Sequence, residues 1–217
     1  IYYGTNSFTG ALGAYGGAGA IYGGPGSIYL KQSFHDKGDL VITNNFHAGK
    51  ANLINGDFDN IYVRDTAELV IPSTVSATSN NIYVQNGGIL TNYGTLSISG
   101  NALVQANGYI RQNGGNFSVG KFTVDSYGIL YLDSKITLGS MTINNNGLLT
   151  HDIKSAGSEL QVSGDLLVDT GGKIDISGKG YVPAEGPGLG TSTTGGGAGG
   201  AGYGGAGGMS ASGATGG

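Results

Sequence analysis

The residues of this chain able to do chemistry are acids set close together and histidines set far apart. Asp57 and Asp59 stand two apart in GDFDN at 56–60. Oxygen-rich turns can hold Ca²⁺, but the ligand spacing of an EF-hand loop is absent, so a plain Asx turn is the expectation here. His35, His47 and His151 are widely separated. His151 shares the stretch HDIKSAGS with Asp152 and Lys154, which reads as a surface loop, the usual place for recognition on a rigid scaffold. Asn116-Phe117-Ser118 matches a glycosylation acceptor by letters only, and its strand context argues against occupancy. Without cysteine there is neither a thiolate metal site nor a disulfide framework. No metal, cofactor or catalytic residue is expected.

The elements that would position these groups come from an internal repeat. Starting at 40, 61, 82, 102, 122, 141 and 166, the units read LVITNNFHA, IYVRDTAEL, IYVQNGGIL, ALVQANGYI, FTVDSYGIL, MTINNNGLL and LLVDTGGKI. The third position is β-branched throughout: Ile42, Val63, Val84, Val104, Val124, Ile143 and Val168. The ninth holds Ala48, Leu69, Leu90, Ile110, Leu130, Leu149 and Ile174, and the seventh is glycine in the last five units. A second alternating stretch follows some 14 residues on, as in Leu96/Ile98, Phe117/Val119, Ile136/Leu138 and Leu160/Val162. Period-2 alternation argues strand, and the Asn/Asp/Gly-rich fifth to seventh positions argue a turn. A fixed interval of about 20 residues is what stacked coils need. Residues 32–180 therefore read as an all-β parallel β-solenoid, a right-handed β-helix of about seven coils, between glycine-rich flanks at 1–31 and 181–217.

On such a scaffold the outward fourth position reads Thr43, Arg64, Gln85, Gln105, Asp125, Asn144 and Asp169. Asp125 and Asp169 fall two coils apart, roughly 10 Å by strand spacing, near the upper limit for an inverting glycosidase. Asn144 stands between them, no acidic cluster accompanies them, and solvated outer-face residues are expected. The outward second position runs Val41, Tyr62, Tyr83, Leu103, Thr123, Thr142 and Leu167, joined by Ile89, Ile129 and Leu148 at the eighth. Apolar side chains outside a solenoid call for a covering layer, the chain's own flank or another subunit. Tyr62 and Tyr83 could instead bind sugar rings; packing is preferred, because no companion cluster of acids and amides is visible in the sequence.

Of the 45 glycines, 9 lie in residues 4–26 and 16 in residues 186–217. With no G-X-Y period, collagen is excluded. Either a flexible linker or a bundle of polyglycine-II-type helices fits, the latter because glycine lets backbones approach. Tyr15, Tyr22 and Tyr203, spaced through the tracts, would anchor such a layer. A net charge of −4 with no basic block argues against nucleic acid. No apolar run nears the length of a membrane span, so no membrane insertion is expected. The chain opens at Ile1 and both ends run into glycine-rich sequence, as a processed chain or a segment of a longer one would.

The order of a last coil, ISGKGYVPAEGPGLG (176–190), a glycine run, and a second run ending GGPGSIYLKQSF (23–34) resembles the glycine-rich β-solenoid repeats of giant bacterial surface proteins and adhesins. IDISGKGY (174–181) and GSIYLK (26–31) carry the likeness. The match covers residues 1–31 and 166–217 by motif, and the middle by solenoid character alone. This chain departs from those repeats by splitting the tract between its ends, as a circularly offset repeat unit would. The resemblance implies an extracellular or cell-surface structural role without enzymatic activity. The expectation is thus a filament, sheath or surface-protein subunit joined head-to-tail to other copies of itself, with Tyr15, Tyr22, Tyr62, Tyr83, Leu103 and Tyr203 in the contacts. The alternative is a carbohydrate-binding adhesin or tail-spike-like module whose partner is a surface glycan.

Overall fold

The computed structural model describes residues 1–5, 10, 12–19, 22–152, 158–180, 190, 191, 207–209, 213, 215 and 216. The chain falls into two units, Ile1–Asp152 with Ala156–Ile176, and Ile153–Ser155 with Ser177–Gly217. The glycine-rich N-terminal flank thus belongs with the solenoid coils. In the second unit, the Thr191 N–H donates to the Thr215 carbonyl at 2.9 Å, and the Thr215 N–H donates to Thr191 Oγ1 at 2.9 Å. Among the described residues all regular structure is strand, and no helix is long and apolar enough to cross a membrane.

Two strands come first, β1 (Tyr2–Tyr3) and β2 (Ser27–Gln32). Each coil then supplies a pair: β3 (Asp39–Thr43) and β4 (Gly49–Asn52), β5 (Gly56–Arg64) and β6 (Ala67–Ile71), β7 (Ser76–Gln85) and β8 (Ile89–Asn92). The series continues with β9 (Thr95–Val104) and β10 (Tyr109–Gln112), β11 (Asn116–Val124) and β12 (Ile129–Leu132), β13 (Lys135–Ile143) and β14 (Leu148–Thr150). The last coil holds β15 (Glu159–Val162), β16 (Leu166–Val168) and β17 (Lys173–Ile174). From β3 onward the longer strands stack in one parallel sheet and the shorter ones in a second. The second sheet has seven strands, so six full turns separate its first from its last. The molecule is a parallel β-solenoid.

The repeat positions are hydrogen-bonded neighbours: Val63 pairs with Val84, Val124 with Ile143, and Leu90 with Ile110. Their side chains fill the bore; Ile61, Val63, Leu69, Ile82, Phe122 and Leu130 have no exposed surface. The second alternating stretch is the first half of the next long strand, as in β9, where Leu96 and Ile98 precede Ala102 and Val104. One expectation needs correcting. Ala48 does not take the ninth position, because the first turn is longer; Ala48 is exposed, and Ala51 pairs with Leu69 instead.

The turn between long and short strand explains its own composition. The seventh-position N–H donates to the fourth-position carbonyl, as in Gly128 to Asp125 at 2.7 Å and Gly147 to Asn144 at 2.7 Å. The two residues between have positive φ, 45° and 65° at Asn145 and Asn146. Two such residues make a type I′ turn, which Asn and Gly adopt at least cost. The seventh glycine serves a different need. A Cβ on Gly128 would lie 2.2 Å from the Val104 carbonyl oxygen of the coil before, and one on Gly147 would lie 2.3 Å from that of Val124.

The first pairing breaks the parallel rule. β2, part of the stretch read as flank, runs antiparallel to β3, and β1 adds to its outer edge. Polar residues also occupy the bore, two amides among them. Asn92 and Gln112, both with no exposure, bond each other at 2.7 Å, and Gln112 Nε2 donates on to the Gly114 carbonyl at 2.7 Å. Buried amides have to be satisfied in this way. Replacement of the seventh-position glycine, Gly128→Ala, forces the two backbones apart and is expected to cost about 1–3 kcal/mol of folding stability; urea unfolding followed by far-UV circular dichroism measures it.

Candidate functional site

A set of hydrogen-bonded polar side chains lines one corner of the first coils. Along β5 the side chains of Phe58 and Ile61 point into the bore, leaving both Asp59 and Asn60 outside at the bend. The same break recurs at Asn80 and Asn81 in β7. Stacking then places like over like. Asn101 Nδ2 donates to Asn81 Oδ1 at 3.2 Å, Asn81 Nδ2 to Asn60 Oδ1 at 3.0 Å, and Asn60 Nδ2 to Asp39 Oδ1 at 2.7 Å. Beside this ladder runs a second, from Ser99 Oγ to Asn80 Oδ1 at 3.3 Å and from Asn80 Nδ2 to Asp59 Oδ1 at 3.0 Å.

The N-terminal ends of both ladders open into a cleft of about 300 Å³, lined also by Tyr3, Gln32, His35, Lys37 and Gly38. His35 Nδ1 stands 3.8 Å from Asp59 Oδ2, and Lys37 Nζ is 2.9 Å from Asp57 Oδ1. Asp57 also accepts from the Thr78 hydroxyl. That hydrogen bond first, then the bond and charge of Lys37, hold the Asp57 carboxyl below its ordinary value of 3.8. GDFDN is therefore no Asx turn: it lies within β5, with Asp57 and Asp59 either side of an inward Phe58.

The other sequence candidates are dispersed. Asn144, its amide turned to donate to Asp125 at 3.3 Å, separates Asp125 from Asp169, whose carboxylate accepts from the Thr170 N–H at 2.7 Å. Thr43, placed outside by the repeat, is 2% exposed and donates to Asp65 at 2.8 Å. His151 Nδ1 contacts the Asp152 carbonyl at 2.6 Å, and Asp152 pairs with Arg111, whose guanidinium lies 4.6 Å from the centre of the Tyr131 ring. Residues 153–157 lie outside the described residues, as does Tyr203. Tyr15 is exposed, and Tyr22 stacks on His47 with ring centres 3.6 Å apart. Tyr62 and Tyr83 stack at 5.0 Å and 11°, with half-buried Leu103 pairing beside Tyr83. Each tyrosine thus covers a face of the other's ring, which favours packing over a sugar platform. Burial first, then the nearby Asp39 charge, raises the Tyr62 hydroxyl above its ordinary 10.0.

Among the described residues no three His, Asp or Glu side chains converge as a metal-binding set. Sequence reasoning missed Asp39, Asn60, Asn80, Asn81 and Asn101. Their signal was present: Asn60, Asn81 and Asn101 each immediately precede a repeat unit. No family model, curated protein or solved structure matches the chain.

Asp57, with its lowered folded value, stabilises the fold above its ordinary 3.8, and that stabilisation is lost as pH falls through the lowered value. Thr78→Val is expected to move the Asp57 titration up toward 3.8, read by NMR of its carboxyl carbon. The accompanying loss of stability should be present at neutral pH and vanish on acidification.

Proposed function

We propose that this chain is a stiff structural segment of an extracellular filament, sheath or surface protein, extended by contacts between the ends of successive copies. One observation carries the reading. Leu166 and Val168 pair with Met141 and Ile143, and Ile174 pairs with Leu149, so all three continue the core rows. Yet they are 47%, 43% and 48% exposed, whereas the residues they follow are 1%, 0% and 5% exposed. A further coil laid on this end would bury them, and burying an aliphatic side chain contributes about 1.5–3 kcal/mol. Among the described residues β15, β16 and β17 pair on one side only, and a strand edge of this kind offers hydrogen-bonding capacity to another chain.

The opposite end supplies a different surface. Described parts of the glycine-rich flank pair with each other there, the Gly23 N–H donating to the Gly17 carbonyl at 3.0 Å and the Gly26 N–H to the Ala14 carbonyl at 2.7 Å. A Cβ on Gly16 would meet the Gly23 carbonyl oxygen at 1.9 Å. Backbones that pack this closely within one chain support the same packing between chains, with exposed Tyr15 at the margin. A contact joining unlike ends repeats without closing, which is the geometry of a fibre. The likeness of the end motifs to glycine-rich repeats of bacterial surface proteins supports an extracellular setting and a role without catalysis.

Negative-stain electron microscopy over a concentration series tests the assembly. The full chain is expected to form filaments, and the double variant Val168→Lys/Ile174→Lys, checked for fold by circular dichroism, to remain as discrete particles. Discrete particles of the unmodified chain at every concentration would overturn the reading.

A further inference from the structure

We propose that the cleft at the head of the two polar ladders binds a neutral saccharide through a pair of adjacent hydroxyls. Asp39 and Asp59 each spend one carboxylate oxygen, Oδ1, on a ladder amide, from Asn60 and Asn80 respectively. Asp39 Oδ2 takes no hydrogen bond among the described residues, and Asp59 Oδ2 has only the His35 ring 3.8 Å away. Asn60, Asn80 and Asn81 each give one N–H to a ladder and retain the second. Spare carboxylate acceptors beside spare amide donors match a hydroxyl pair, since each hydroxyl both donates and accepts.

The same lining selects against other ligands. Asp39 and Asp59 repel a phosphate or sulfate, and Lys37, the lysine in the lining, is engaged by Asp57. An apolar ligand would leave these polar groups without water or partners, which is costly. The volume, about 300 Å³, is at the small end of ligand sites, suited to one or two sugar rings. The groups are also fixed before any ligand arrives, because the Asn81 amide is itself held by Asn101 from the next coil. Rigid donors lose little freedom on binding. This inference does not rest on end-to-end assembly, and neither fails with the other.

The test titrates the full chain with glucose, galactose, mannose, N-acetylglucosamine and their linear trimers, by calorimetry and ¹⁵N NMR. The expected result is saturable binding of at least one of them at millimolar concentration, with shifts confined to residues 35–39, 59–60 and 80–81. Asp39→Asn and Asp59→Asn each keep an oxygen for the ladder amide, so melting temperature should hold while affinity falls about tenfold or more. Thr137→Ala, on an outer row in a later coil, should change nothing. Four results would overturn the proposal: no saturation by any sugar, binding that survives both aspartate substitutions, preference for sulfated over neutral forms, or Ca²⁺ alone shifting the same amides.

Discussion

The spacing between coils governs everything else in this structure. Backbone N–H and C=O groups inside the stack need partners, and they find them in the next coil, at a strand separation of roughly 4.8 Å. Where one coil's turn crosses the carbonyl of the coil before, that distance leaves no room for a Cβ, and glycine follows at Gly88, Gly108, Gly128, Gly147 and Gly172. Where side chains stack directly, like must sit on like. Aliphatic rows fill the bore, and amide rows line the corner. An amide donates and accepts, so an asparagine ladder can run on from coil to coil. A carboxylate only accepts, so Asp39 and Asp59 end the ladders, each with an oxygen unspent.

That same spacing decided what could be read from the sequence. Val63, Val84 and Val104 recur because each touches its equivalents, and a fixed interval was enough to find them. β2 was hidden because it lies outside the repeat, antiparallel to β3 and beside the two-residue β1, so no periodicity marks it. Asp57 and Asp59 suggested a turn by composition, whereas Phe58 between them carried the strand signal. Asn92 and Gln112 sit in a row that Ile71 and Leu132 otherwise make aliphatic, and neither amide shows its partner until the coils are stacked. The cleft draws on separated stretches: Tyr3, residues 30–39, 59–60 and 80–81. No local pattern joins these; only the stacking does.

The two ends of the solenoid solve the problem of a finite stack differently. At the first coil, the antiparallel β2 and the glycine segments close over the edge, with Tyr22 against His47. At the last, the core rows run on into half-exposed side chains. In a fold where each coil touches only its neighbours, stability is a sum of local terms.

The final coil also shows how such a scaffold tolerates changes in length. It is the longest of the series, with 25 residues between the starts of the last two units, yet β15, β16 and β17 keep full register on the coil before. Most of the extra residues fall between β14 and β15, and one between β15 and β16. Insertions at corners are therefore nearly silent, and gain or loss of a whole coil changes only how long the rod is. Even a long strand absorbs one added residue at its bend: β9 has three residues between inward Ile98 and Ala102 where β7 has two between Ser79 and Ile82, and the register recovers beyond them. The chain can thus be lengthened or shortened in units of a coil, each worth one strand spacing, without a change in its cross-section.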